Sequence, residues 1–232
     1  ATIDTPEVEP ILKALDEKGW RLTHILNTHH HFDHAGGNRD IKTRTGCTVI
    51  GPKDEADKIP GIDRAVCDGD TVAFGGGEAQ VLGVPGHTAG HIAFSFPDEK
   101  IAFVGDTLFA LGCGRLFEGT PAQMWTSLQK LIALPDDTTV YCAHEYTQAN
   151  GRFAATIEPD NPALQARLAQ VDAARAKGEP TVPTLLSEEL ATNPFLRARL
   201  AEVKSTLHKR DANHAAVFAE IRRRQRSLPN PR

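Results

Sequence analysis

Thr28-His29-His30-His31-Phe32-Asp33-His34 is the stretch around which the rest of the chain is organised. Three consecutive histidines, a carboxylate and a fourth imidazole supply more metal-ligand atoms than folding alone requires. Residues 22–27 before it are short and apolar and read as a strand, so the ligand-type residues stand at a strand's end. In an extended stretch, residues i and i+2 point the same way, so His29 and His31 can share one ion. Asp33 and His34 follow a bend and can face a second, while His30 is assigned to the scaffold. Imidazole nitrogens with a carboxylate suit zinc, and also iron or manganese. Histidines that merely cap strand and helix ends are the bland alternative. The Asp-His pair and the Gly36-Gly37 turn behind it weigh against that reading.

Outward from this stretch, short strands keep finishing in polar residues. On the N-terminal side, residues 6–18 carry Val8, Ile11, Leu12 and Leu15 at helical spacing, and Gly19 ends the run. Pro10 falls in or near the first turn, where its missing N–H costs little. On the C-terminal side, Gly36-Gly37-Asn38 reads as a turn and cap for a helix to about Thr43, and residues 47–50 as a strand. Residues 71–74 and 79–82 flank Gly75-Gly76-Gly77 as a hairpin. No helix follows those glycines, so they are a turn and not a phosphate loop. Residues 92–96 and 101–104 are two further strands, the second running into Gly105-Asp106. A helix over 121–134 and a strand over 138–142 then deliver His144.

Composition fits an ordinary globular protein: 232 residues, 40% hydrophobic and 24% charged, with length enough for a core that needs no disulfides. The cysteines at 47, 67, 113 and 142 form no Cys-x-x-Cys pair and read as buried free thiols. A net charge of −4 argues against nucleic acid as a partner, although residues 221–226 are strongly basic. No apolar run approaches the roughly 18 residues of a membrane span, and no signal segment opens the chain, so the cytoplasm is expected and a membrane partner is not. After about Asn150 strand signals vanish. Asn161-Pro162 opens a helix that Gly178 ends, Asn193-Pro194 repeats the device, and Asp211 is the expected cap of a last helix over 212–227. The division expected is 1–148, mixed α/β and metal-binding, and 149–232, helical and substrate-binding. Ala1-Thr2-Ile3 reads as the end of a strand, with earlier residues expected upstream.

One loop cannot complete two metal shells. Further ligands are available where strands end, at His87 in Pro85-Gly86-His87-Thr88-Ala89-Gly90-His91, at Asp106 and at His144, with Thr88 and His91 read as supporting residues. In order and wording these motifs resemble the metallo-β-lactamase superfamily and, within it, the glyoxalase II (hydroxyacylglutathione hydrolase) family. Gly112-Cys113-Gly114-Arg115-Leu116-Phe117-Glu118-Gly119-Thr120, His144-Glu145-Tyr146-Thr147 and Asn193-Pro194-Phe195-Leu196-Arg197 carry the narrower resemblance. It implies an α+β fold, an αββα sandwich with a small C-terminal helical domain, the family's first strands being missing from this chain. It further implies two divalent ions per chain, with His29, His31 and His87 on one, Asp33, His34 and His144 on the other, and Asp106 between them. The expected reaction is hydrolysis of S-(2-hydroxyacyl)glutathione by a metal-bridging hydroxide that Asp33 orients, in methylglyoxal detoxification.

The same resemblance implies glutathione contacts at Arg115, Tyr146 and Arg222, arginine being suited to carboxylates. Two positions depart from the family's frequent pattern: Phe117 replaces a tyrosine and Gln225 a lysine, which implies a higher KM. Losing a charge-assisted contact costs on the order of 1 kcal/mol. Competing readings are another activity on this fold, such as a one-iron glutathione persulfide dioxygenase, and a non-catalytic glutathione- or metal-binding module. A monomer and a dimer are equally compatible with the sequence.

Overall fold

Two sheets face each other, and alternation along their strands decides what each side covers. The computed structural model describes residues 1–227. The first sheet is parallel, in the order β1 (Thr2–Ile3), β2 (His24–Leu26), β3 (Thr48–Pro52) and β4 (Arg64–Val66). The second contains β5 (Thr71–Phe74), β6 (Gly77–Gly83), β7 (Ile92–Phe96), β8 (Ile101–Gly105), β11 (Thr139–Cys142) and β12 (Thr184–Leu185). Its order is β12-β11-β8-β7-β6-β5, antiparallel except where β11 lies parallel to β8. Between the sheets, Leu26, Ile50 and Val66 meet Val72, Val81, Ile92 and Phe94.

Each sheet's outer face is closed by helices. α1 (Val8–Lys18) and α3 (Asn38–Thr45) cover the first, with Ile25, Ile41 and Val49 buried beneath Val8, Ile11 and Leu15. α4 (Pro121–Ile132) covers the second, entered through a capping box of Thr120 with Gln123 and a proline in the first turn. The layers are therefore αββα, as the family resemblance implies. Of the later helices, α5 (Thr147–Ile157) packs on α6 (Pro162–Ala176) and α6 on α7 (Leu186–Thr192), while α7, α8 (Ala201–Thr206) and α9 (His214–Arg226) meet at a 3-10 turn over Leu196–Arg199 and α9 packs on α4. Phe153, Phe195, Phe218 and Ile221 share one core with Val104, Met124 and Leu128. Burying a phenylalanine of this kind contributes about 1.5–3 kcal/mol. No helix among the described residues is long and apolar enough to cross a membrane.

Three expectations about how helices start are adjusted. Asn38 does not cap α3; its amide is buried and bonds Thr5, Asn27 and the Pro60 carbonyl, tying two strand ends together. Asn213, not Asp211, caps α9 by accepting from the Ala216 N–H. Asn193-Pro194 opens a 3-10 turn over Leu196–Arg199 and not an α-helix; Asn193 Oδ1 does accept from the Phe195 N–H, while its amide donates to the Phe109 and Gly112 carbonyls and to Glu189. Those carbonyls belong to a small hairpin, β9 (Leu108–Phe109) with β10 (Gly112–Cys113), whose two-residue strands leave no periodicity to read.

Candidate metal centre

Strand ends deliver the candidate ligand atoms. β2 ends at Leu26 and the chain turns through Asn27 and Thr28 into His29, while the short helix α2 (Phe32–Ala35) presents Asp33 and His34. The loop between β6 and β7 brings His87, the end of β8 brings Asp106, and the end of β11 brings His144. Nε2 of His29 and Nε2 of His87 lie 3.0 and 3.1 Å from Nδ1 of His31. Burial lowers the pKa of all three, that of His87 to about 4, so three neutral ring nitrogens converge on one point. Lone pairs crowd in this way around a cation.

The second group is Asp33, His34 and His144. Nε2 of His34 and of His144 stand 3.7 and 3.5 Å from Oδ2 of Asp33, and 3.4 and 3.5 Å from Oδ1 of Asp106. The other oxygen of Asp106 lies 3.4 Å from Nε2 of His87, so one carboxylate faces both groups. Nε2 of His34 and Oδ1 of Asp106 are buried without a hydrogen-bond partner. Buried polar atoms are rarely left so, and this donor set suits divalent metal ions. Burial also pushes the Asp106 carboxyl up to about 7, a cost that a cation beside it would remove.

Outer contacts fix the rings. His29 Nδ1 bonds Thr28 Oγ1 at 3.0 Å, His87 Nδ1 donates to the Arg115 carbonyl at 2.8 Å and His34 Nδ1 to Asp4 at 2.8 Å, which leaves Nε2 available on each. Asp4 is the residue that sequence reasoning missed. It also accepts from Thr28 N–H and Oγ1, at a φ of 57° that aspartate tolerates better than most residues. Its one signal was position, a carboxylate at a strand end like the other ligands. For His34 burial pulls the pKa down, but Asp4 with the nearby carboxylates outweighs it and the net direction is up. His91, read as a supporting residue, is buried, stacks on His29 at 4.6 Å and accepts from the Asp106 N–H. Thr88 is buried without a partner for its hydroxyl. His30 points away from the centre, to Glu55.

A cleft of about 1340 Å³ opens over Asp33, Asp106 and His144. Arg115, Phe117 and Tyr146 line it and are exposed, with Tyr146 stacked on His144 at 5.0 Å and Phe117 edge-on to His31 and His87. Gln225 and Arg222 also line it, but Arg222 is not free in the way its expected role supposes. Its guanidinium is buried, lies 4.5 Å over Phe195, and donates to the Cys113 and Gly114 carbonyls and to Gln225. Gly114 has to be glycine: a Cβ there would stand 1.7 Å from the Asp106 carbonyl oxygen. Arg152, on the exposed side of α5, adds a cation that the sequence reading did not single out.

Comparison with known proteins agrees with this architecture. Residues 2–144 match the metallo-β-lactamase superfamily model, and residues 145–227 match the model described as hydroxyacylglutathione hydrolase C-terminus. The hydroxyacylglutathione hydrolase of Methylococcus capsulatus is 57% identical over 97% of this chain and 88% of its own length. That of Maricaulis maris is 56% identical over 98% and 89%. Among solved structures, ETHE1 from Myxococcus xanthus has a TM-score of 0.67 at 28% identity, covering 99% of this chain and 81% of its own. A protein solved in a di-iron-bound form, TTHA1623, has a TM-score of 0.61 at 27% identity, covering 84% and 88%.

Proposed function

Because this chain belongs to the hydroxyacylglutathione hydrolase family of the metallo-β-lactamase superfamily, we propose how its residues carry that family's reaction. The protein is a metal-dependent hydrolase of S-(2-hydroxyacyl)glutathione thioesters, releasing the hydroxy acid and glutathione. In this reading two divalent ions, zinc in the first instance, sit in the two groups. His29, His31 and His87 would hold one, Asp33, His34 and His144 the other, and Asp106 would serve both. Bound there, the ions supply Lewis acidity and hydroxide at neutral pH.

The chain's own residues do the rest. Asp33, whose side chain is 60% exposed, faces the cleft and holds the proton of the attacking water. The departing thiolate has a conjugate acid of pKa about 8.5, so no strong acid has to be supplied for it. Arg115 and Arg152 offer exposed guanidinium groups to the two glutathione carboxylates, and Tyr146 a hydroxyl. Phe117 packs against the acyl end, while Arg222 and Gln225 form the wall behind the peptide. Residues 1–148 thus hold the metals and residues 149–232 complete the substrate site.

The observation that supports this reading is Asp106, one buried carboxylate whose two oxygens lie 3.4 to 3.5 Å from ring nitrogens of both groups. The test is steady-state hydrolysis of S-D-lactoylglutathione with metal analysis on the same sample. Turnover with two ions per chain is expected. No glutathione-thioester turnover by metal-loaded protein would overturn the reading, and a single redox-active iron that consumes oxygen would favour the persulfide dioxygenase.

A further inference from the structure

Glu55 is a carboxylate with 1% exposure, outside both ligand groups, and its two oxygens join two separate loops. Oε2 accepts from the His30 N–H at 2.8 Å and from His30 Nδ1 at 2.7 Å. Oε1 accepts from the Gly90 N–H at 2.8 Å, on the loop that carries His87 and His91. Gly90 is glycine for this approach, since a Cβ there would stand 2.7 Å from Glu55 Cγ and 2.9 Å from Asp54 Cβ. Glu118 repeats the connection from the solvent side. It accepts from the Ala89 N–H at 2.7 Å, and its other oxygen lies 3.8 Å from His30 Nε2.

We infer that Glu55 is a positioning residue for the three-histidine half of the centre, setting the His29–His31 loop against the His87 loop without ligating an ion itself. The inference rests on the reading that His29, His31 and His87 share one ion. His30 is the handle. Fixing its backbone and ring outward leaves its two neighbours, one residue away on either side, to point inward together. The same carboxylate fixes Gly90, three residues beyond His87, so the third ring arrives at a set distance from the first two. A third cation among His30, Glu55 and Glu118 is not the better reading, because N–H donors already occupy both Glu55 oxygens. Glutamine cannot replace this group. Both oxygens accept, and an amide nitrogen in either place would face a donor.

The test uses the whole chain as wild type, Glu55→Gln and Glu55→Asp. Metal-free protein is titrated with Zn2+ against a chelator, kcat and KM are measured on S-D-lactoylglutathione, and the visible spectrum is recorded after one equivalent of Co2+. For Glu55→Gln the more tightly held ion should bind about 10- to 100-fold more weakly, as is usual when an outer-shell partner is lost. The Co2+ spectrum should change and kcat should fall, with KM unchanged, since Glu55 does not line the cleft. Glu55→Asp keeps the charge with a shorter reach and should lie between the two; it decides the matter if Glu55→Gln does not fold. Affinity for the first ion within twofold of wild type in a folded variant overturns the inference, as does an equal loss for both ions, which would mark general loosening. If the wild type itself binds no ion tightly, the underlying metal assignment falls and the inference falls with it.

Discussion

The two halves of the centre hold their ligands differently. In the first, His29 and His87 are buried, and each has its second nitrogen on a fixed partner, Thr28 Oγ1 and the Arg115 carbonyl. In the second, only His34 is held this way, by Asp4. The Asp33 side chain is 60% exposed, and His144 rests on Tyr146 by stacking. A preorganised ligand set loses little freedom on binding its ion, whereas mobile ligands must be ordered first. The first half should therefore load first and release last, and the second should be the adaptable, substrate-facing one.

The most damaging way to break this contrast is to remove what the halves share. Asp106→Ala takes away the carboxylate between them, and kcat/KM should fall by about 10³-fold with loss of the less tightly held ion. Steady-state kinetics with metal analysis checks this, and a loss under tenfold with two ions retained would mean that Asp106 links nothing. Next in size is His144→Ala, which touches the open half alone. Activity should drop by about 10²-fold while one ion per chain stays bound, read by chelator titration as loss of the weaker of two phases. Loss of the tighter phase would reverse the assignment of which half is rigid.

Asp4→Asn should have a smaller effect, about 10- to 100-fold on the affinity of the second half, where Asp4 holds His34 directly, and less on the first, which it reaches only through Thr28 and His29. An amide in place of the carboxylate would set N–H groups against Thr28 N–H or His34 Nδ1–H, leaving a buried donor unpaired at about 1–3 kcal/mol. Chelator titration and thermal unfolding measure the two consequences separately. Unchanged affinity at both sites would show that His34 needs no outer partner.

What the sequence could and could not convey follows from range. Residues 28–34 were readable because every ligand type stands within a few positions of chain, strand 79–82 because burial repeats every second residue, and strand 92–96 because a short apolar run is buried on both faces. Asp4 was not legible. Its partners lie 24 and 30 residues away, and β1 is too short to carry a pattern. Glu55 failed in the same way, being one acid in a charged loop until folding set it against His30 and Gly90. Arg222 shows the opposite failure. Its residue type fitted a glutathione carboxylate, yet main-chain carbonyls 108 and 109 residues away claim its guanidinium. Composition can nominate a donor, but only packing decides where the donor is spent.

The smallest expected effect is on stability against pH, and it separates buried imidazoles from exposed ones. Burial holds the pKa values of His29, His87 and His91 below the ordinary 6.5, that of His87 at about 4, and lowers those of His31 and His144 too. His34 and Asp106 move the other way, the latter to about 7. With these five imidazoles and His24 lowered against two groups raised, the unfolded chain binds more protons than the folded one between about pH 4 and 6.5. The stabilisation from neutral, buried histidines is thus complete above about pH 6.5 and is lost as pH falls toward their folded values, by about 1.4 kcal/mol per pH unit for each net proton. For a chain of this length, each kcal/mol lowers Tm by roughly 2–4 °C. Metal-free protein should therefore melt several degrees lower at pH 5 than at pH 7. Metal-loaded protein should lose more, because protons displace ions from the same nitrogens. A metal-free Tm that is flat or rises on acidification would mean that these rings accept protons in the folded state, and the rigid half of the comparison would then be an open one.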